Sequence, residues 1–486
     1  MNKNNNSKDA LFLSIVKIFT LGVGTISTMI LSKKLSLDSY GTYSTLNLLA
    51  TSGAAISVLG LADAMNYFYN KEKDIEKQRK YVNNILLFQT VIGIITGIII
   101  LVGEPVFITY FNNPFLKGMC IYIAFRPFLD NIIISLQNLQ VAIGRAKQIA
   151  IRNAIFSGMK VLTIILCVMF FKDIRIILFA IIFMDLLTVL YFWITFSKVK
   201  FPINIMKFDI ELTREILYFS IPMGIYVMSN MLMREFDKYV IGYFESTAML
   251  AIYTNCSTTL PLDIITNSFL IVIIPIMTRL ISNKEYEKAQ QLFSNYLMIG
   301  VYSTVVFGIA LILTAKEAIS FLYDDKYLIG KPVFILYIIV SMIRFANLTL
   351  VLSAKGKTKT LMKVSIISLI INSFTSIILY KLFGFIGPAI ATVMVTLIST
   401  LVMCNSSCKV LKTTLLKIIS WKDISAFVVE LFLCVNVFTF MKNQLYILNI
   451  NKYIILFICA GGFSFLMLII NYKKIERILK NINLYK

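Results

Sequence analysis

No histidine occurs among the 486 residues of this sequence. That absence excludes a histidine metal site, a Ser-His-Asp triad and a histidine proton relay, and leaves any proton coupling to carboxylates. Cysteine is sparse and unpatterned: there are seven, with no CxxC spacing, and Cys120, Cys167, Cys256 and Cys459 fall in or beside apolar runs. They read as small apolar side chains rather than as disulfide or zinc ligands. Acidic residues are few, 25 Asp and Glu against 47 Lys and Arg, for a formal net charge of +22. A GxxxxGK[ST] phosphate loop is missing. Polar stretches between apolar runs do not exceed about twenty residues, too short for a nucleotide-binding or glycosyltransferase domain. The chemistry therefore belongs to whatever the apolar runs build, and no cofactor or metal is called for.

Those runs dominate what is present. The chain is 58% hydrophobic, with a mean hydropathy of +0.80. About fourteen apolar stretches recur, each near the twenty helical residues needed to cross a hydrocarbon core. The expected spans are 10–32, 41–66, 82–103, 116–142, 148–171, 176–196, 215–243, 248–278, 291–315, 332–354, 361–382, 386–408, 424–441 and 452–471. The first is too long for a signal-peptide core and carries Lys17, so it counts as a membrane helix. Basic residues gather in alternate loops, as at Lys71–Lys80, Arg145–Arg152, Lys198–Arg214, Lys355–Lys363 and Lys409–Lys422. About 30 fall on one side and about 11 on the other, the bias of the positive-inside rule. Topology thus explains the positive charge better than nucleic acid does. The expected protein is all-α and integral to the cytoplasmic (inner) membrane, multi-pass, with both termini cytosolic.

An internal repeat is legible. Lys73-Asp-Ile-Glu-Lys77 corresponds to Lys284-Glu-Tyr-Glu-Lys288, and Gly144-Arg-Ala-Lys147 to Gly356-Lys-Thr-Lys359, at offsets of about 211 and 212 residues. Six spans per repeat return the chain to its starting side, so the halves are parallel repeats, and such pairs commonly enclose a pathway worked by alternating access. The expected divisions are an amino-terminal lobe at 1–200, a second lobe at 201–410, and two added helices with a cytosolic tail at 411–486.

Several motifs then stand out. Lys34-Leu-Ser-Leu-Asp-Ser-Tyr-Gly-Thr-Tyr43 closes the first span; Ser220-Ile-Pro222, Asp237-Lys238, Ala251-Ile-Tyr253 and Ile274-Pro275 follow in order; Gly384-Phe-Ile-Gly-Pro-Ala389 turns between spans 11 and 12. Together they resemble the polysaccharide and oligosaccharide flippases of the multidrug/oligosaccharidyl-lipid/polysaccharide (MOP) exporter superfamily, over about residues 10–470. The resemblance implies two six-helix lobes in a V around a lumen, moving lipid-linked glycans across a cytoplasmic membrane. It also implies that spans 13 and 14 flank the lipid tail.

Ionisable residues within spans are functional candidates because each is costly to insert. Lys17, Arg126, Lys160 and Arg344 lie far from their expected span ends and form the candidate cationic lumen, suited to the diphosphate of a lipid-linked sugar. Arg126 with Asp130, at i and i+4, and Lys160 with Asp185 are alternative structural pairs. Arg234, Glu235, Asp237 and Lys238 crowd one end of span 7, where pairing among themselves is expected. Asp185 and Asp263 are the candidates for ion coupling, Asp263 because it follows Pro261, where a broken helix frees carbonyls. The expected activity is transport rather than enzymatic catalysis: flipping of undecaprenyl-diphosphate-linked repeat units for O-antigen, capsule or a related polymer. Its partners are that glycolipid, the bilayer and other polysaccharide-assembly membrane proteins. An organic-cation antiporter, a lipid II flippase and a membrane-embedded glycan polymerase are the alternatives.

Overall fold

The computed structural model describes residues 3–171, 173–197, 208–258, 260, 262, 264–344 and 350–483. Among them the regular secondary structure is helical throughout. Ten helical stretches among the described residues are apolar and long enough to cross a membrane. Large apolar side chains such as Phe170, Phe374 and Phe432 remain exposed on them, as lipid-facing surfaces require.

Two compact units divide at Thr254 and Asn255. The first contains α1 (Lys3–Lys34), α2 (Leu37–Ser57), α3 (Leu61–Lys71), α4 (Ile75–Val102), α5 (Glu104–Tyr110), α6 (Arg126–Ala142), α7 (Ala146–Phe170), α8 (Ile174–Ser197) and α9 (Ile210–Phe244). Helix α10 (Thr247–Cys256) runs across the division. Local chemistry sets the starts of these helices. The Ser36 hydroxyl accepts from Ser39 N at 3.2 Å to open α2. Asp209 opens α9 by accepting from the amides of Glu211 (3.0 Å) and Leu212 (3.2 Å). The core joins Phe68 of α3, Tyr81 and Ile85 of α4, Leu136 of α6, Phe192 and Phe196 of α8 and Ile216 of α9. Packing thus places α9 within the first compact unit.

The second unit contains α11 (Ile264–Ser282), α12 (Tyr286–Gly300), α13 (Val306–Leu313), α14 (Ala315–Leu322), α15 (Lys331–Ile343), α16 (Leu350–Ala354), α17 (Thr358–Phe383) and α18 (Gly387–Val410). It continues through α19 (Leu415–Ile418), α20 (Trp421–Ile447), α21 (Lys452–Leu456), α22 (Gly462–Ile470) and α23 (Tyr472–Asn483). A π turn at Val301–Val305 joins α12 to α13. Phe438 of α20 meets Phe463 of α22 edge-on at 5.7 Å, and α23 lays Ile478 and Ile482 against the same core.

The repeat anchors occupy equivalent places. Gly144 (φ 84°) separates α6 from α7 and Gly356 (φ 73°) separates α16 from α17, both in the left-handed region that glycine tolerates. Asp74 caps α4 and Glu285 immediately precedes α12. The family-like motifs mostly do packing work. A Cβ on Gly41 would lie 2.1 Å from Thr247 O, and one on Gly387 would lie 2.1 Å from Leu379 O. The Tyr253 hydroxyl donates to fully buried Asp237 at 3.1 Å.

Three spans differ from expectation in ways that move charges. The stretch 116–125 forms 3-10 turns rather than helix, and α6 begins at Arg126 with Pro127 in its first turn. Proline lacks the amide an interior turn needs but fits a helix start. Arg126 is therefore a helix-end residue. The span expected at 332–354 stops at Ile343, with Arg344 as its cap. The span expected at 41–66 breaks between α2 and α3, at Leu59 (φ 43°) and Gly60 (φ 70°).

Candidate functional site

The α2–α3 break organises the site. Amide side chains from neighbouring helices bond to the chain on both sides of it. Asn131 Nδ2 donates to Ala54 O at 3.1 Å and Ser57 Oγ at 2.7 Å, Gln89 Nε2 to Ser57 O at 3.1 Å, and Asn138 Nδ2 to Ala62 O at 2.8 Å. Backbone polar groups at membrane depth need such partners. Helix α9 presses on the break: a Cβ on Gly60 would lie 2.3 Å from Ser220 O, and one on Gly224 would lie 2.4 Å from the Leu59 carbonyl carbon. Pro222 stands between those two α9 positions and removes one helical hydrogen bond there.

Beside the break lies a cavity of about 590 Å³ within the first unit. Thr51, Ala54, Val58, Gly60 and Asp63 line one wall; Asp130, Asn131 and Asn138 of α6 line another; Arg152, Ser157 and Lys160 of α7, Asp185 and Thr188 of α8, and Val227 and Met231 of α9 complete it. The carboxyl of Asp63 stands in the first turn of α3, where the helix dipole favours a negative charge.

Its cations differ in how they are held. Lys160 Nζ donates to both carboxylate oxygens of Asp185, at 2.8 and 3.1 Å, the cross-helix pair that was the structural alternative for these residues. Arg152 is buried, its Nη2 donating to Asn153 and its guanidinium stacked 4.3 Å from the Phe192 ring centroid. Among the described residues no carboxylate pairs with it, and its Nε finds no hydrogen-bond partner. Counted from the start of α7, Arg152 and Lys160 sit roughly 9 and 21 Å along the axis, so cations occur at two depths of one cavity.

Arg126 does not pair with Asp130 among the described residues; its Nη1 donates to Asn47 Oδ1 at 2.9 Å. Asn47 is one turn from Thr51 and Arg126 one turn from Asp130, so this contact lies just beyond the cavity wall. A cation in the first turn of a helix opposes the dipole, so Arg126 is held there by Asn47 and by the nearby Asp130 charge rather than by the helix itself. Arg344 belongs to the second unit, where it caps the carboxy-terminal end of α15, the end that favours a cation, and donates to Thr396 Oγ1 at 3.3 Å. The Lys17 side chain, Pro261 and Asp263 lie outside the described residues. On α9, Lys238 pairs with Glu235 at 2.6 Å.

Arg152 is the residue that sequence reasoning placed elsewhere, among the loop cations. Its position six residues into α7 and the aromatic Phe156 four residues on were the available signals.

Fold and cavity together define an all-α, multi-pass membrane protein of two compact helical units, the second carrying additional carboxy-terminal helices. Residues 11–332 match the family model described as "Polysaccharide biosynthesis protein", and the chain belongs to that family. It is 23% identical over 172 residues to the "Probable lipid II flippase MurJ" of Rickettsia prowazekii (strain Madrid E), a match spanning 32% of this chain and 32% of that relative. In fold it is similar to "Lipid II flippase MurJ, inward closed conformation" (TM-score 0.72, 15% identity, 96% of this chain and 99% of that one). It is similar also to a "MATE in complex with MaL6" (TM-score 0.58, 16% identity, 83% and 96%) and to the "MATE multidrug transporter DinF-BH" (0.57, 14%, 84% and 96%).

Proposed function

We propose that this protein is a flippase for undecaprenyl-diphosphate-linked oligosaccharide repeat units in the synthesis of a surface polysaccharide such as O-antigen or capsule. The observation that carries the reading is Arg152, a buried guanidinium lining a largely apolar cavity, with no carboxylate partner among the described residues. An uncompensated buried cation is expensive unless an anion visits it. Lys160 supplies a second cation in the same cavity, and Arg126 a third just beyond it. Lys17 and Arg344 complete the proposed set of cations. With the basic loops and both termini cytosolic, the headgroup enters at the Arg152 end and meets Lys160 near mid-membrane. An anion leaving an inside-negative cell gains about 2.3 kcal/mol per charge per 100 mV, which contributes driving force without a coupling ion. The lipid tail stays in the bilayer. An apolar groove between α13 and α20, lined by Ile309, Leu313, Leu431, Phe432 and Val435 and ending at Lys442, suits such a chain.

The test is deletion of the gene in its own organism, with complementation by the wild type and by Arg152→Gln. The expected result is loss of surface polymer with single repeat units accumulating on the cytosolic leaflet, reversed by the wild type and not by the variant at equal protein level. A second reading, export of organic cations, is favoured by Asp63, Asp130 and Asp185 in the same cavity. Normal polymer in the deletion strain, with raised sensitivity to cationic drugs, would put that reading first.

A further inference from the structure

We propose that Asp185 is a specificity-determining residue: it occupies Lys160 in place of substrate, so that a diphosphate displaces it while the single phosphodiester of a bulk phospholipid does not. The proposal rests on the flippase reading and concerns how the cavity ignores the far commoner anionic lipids of the same bilayer.

Geometry supplies the competition. Lys160 has three N–H donors, and Asp185 holds it through both carboxylate oxygens at 2.8 and 3.1 Å. The pair is set in the cavity wall and not sealed within it, since the Lys160 side chain keeps 32% of its exposure and that of Asp185 keeps 11%. An incoming anion can therefore reach the ammonium. Asp185 has no other hydrogen-bond donor among the described residues, so a ligand that takes Lys160 leaves a carboxylate unpartnered at membrane depth. That cost is the barrier.

A phosphodiester brings one charge, the same as the carboxylate it replaces. The exchange returns little and strands Asp185, so the carboxylate wins. A diphosphate ester brings more charge and more acceptor oxygens than the carboxylate it replaces, and Arg152, about two turns away on α7 in the same cavity, adds to the attraction that the larger charge feels. Asp130, which lines the same cavity, adds a carboxyl group that disfavours any anion there. Discrimination by a group that penalises the wrong ligand is a general route to specificity.

The test uses the full chain in nanodiscs of zwitterionic lipid. Two probes are titrated by calorimetry: farnesyl diphosphate, and dihexanoyl phosphatidylglycerol as the phosphodiester. The wild type is expected to bind the diphosphate at least about tenfold more tightly than the phosphodiester. Asp185→Asn should raise phosphatidylglycerol affinity about tenfold with diphosphate affinity kept or raised, collapsing the ratio. Asp130→Asn should raise both affinities alike and preserve the ratio. Lys160→Gln should collapse the ratio from the other side, by loss of diphosphate affinity, and keeps the test informative if Asp185→Asn folds poorly. An unchanged ratio in Asp185→Asn at an unchanged melting temperature, or equal weakening of both probes as a merely structural pair would give, overturns the proposal. A wild type that binds both probes equally overturns the selection while leaving headgroup binding intact. One that binds neither overturns the headgroup reading itself.

Discussion

Each unit carries a lysine–carboxylate pair held between helices, and the two pairs are built differently. In the second unit Glu317 is fully buried; it accepts from Lys442 Nζ at 2.9 Å and from the Tyr446 hydroxyl, while Lys442 also donates to Leu313 O at 2.8 Å. In the first unit Lys160 and Asp185 hydrogen-bond only to each other among the described residues, with Asp130 within electrostatic reach of both, beside a cavity. A buried ion pair is stable when its remaining lone pairs and protons are also satisfied. By that standard the Glu317 cluster is structural. The Lys160 pair has spare donor capacity facing open space, the arrangement a site needs if a ligand is to exchange into it.

The sharpest way to break this comparison is to cut both pairs. Glu317→Ala leaves Lys442 and Tyr446 without their shared acceptor, and should cost about 3–5 kcal/mol, seen as a lower yield and melting temperature of the solubilised protein. Lys160→Gln keeps an amide donor for Asp185 beside the cavity, and should cost only about 1 kcal/mol in the same assay. Equal losses would make the Lys160 pair a structural one.

Next in size is the helix break. Gly60→Ala puts a Cβ 2.3 Å from Ser220 O at φ 70°, so the α2–α3 corner must open or α9 must move. A loss of about 1–3 kcal/mol is expected, and with it weaker diphosphate binding, because Gly60 lines the cavity. An unchanged melting temperature would show that the corner is already loose.

The smallest effect belongs to the exposed pairs that mark the repeat. The Lys77 ammonium holds the Glu72 carboxyl below the usual carboxylate range, and Lys288 does the same for Glu285. A depressed carboxyl adds stability above its unfolded pKa and loses it as pH falls through the folded value. Glu285→Gln should therefore lower the melting temperature slightly at neutral pH, with the gap closing in acid and in high salt. A gap that widened on acidification would reverse the assignment.

Much of the architecture could be read before folding because it depends on local signals. Hydropathy marks a membrane helix wherever the sequence supplies about twenty apolar residues. Gly144 and Gly356 announced equivalent turns, and both adopt positive φ. The pairing of Lys160 with Asp185 could be named as an alternative, since adjacent spans bring few other charges together. The helix ends at Arg126 and Arg344 were harder. Both lie inside long apolar windows, and hydropathy does not distinguish a helix from turns that a neighbouring helix shelters.

Composition and order alone determined that this is a helical, repeated, multi-pass membrane protein of the polysaccharide biosynthesis family. Only the tertiary structure decided which charges share a space. Arg152 reads as one more loop cation until α8 brings Phe192 against it, and Lys160 reads as a solitary charge until Asp185 arrives from the next helix. The reason is physical: insertion energy is a property of a segment, whereas the partner and exposure of a side chain are set by helices packed from distant parts of the chain.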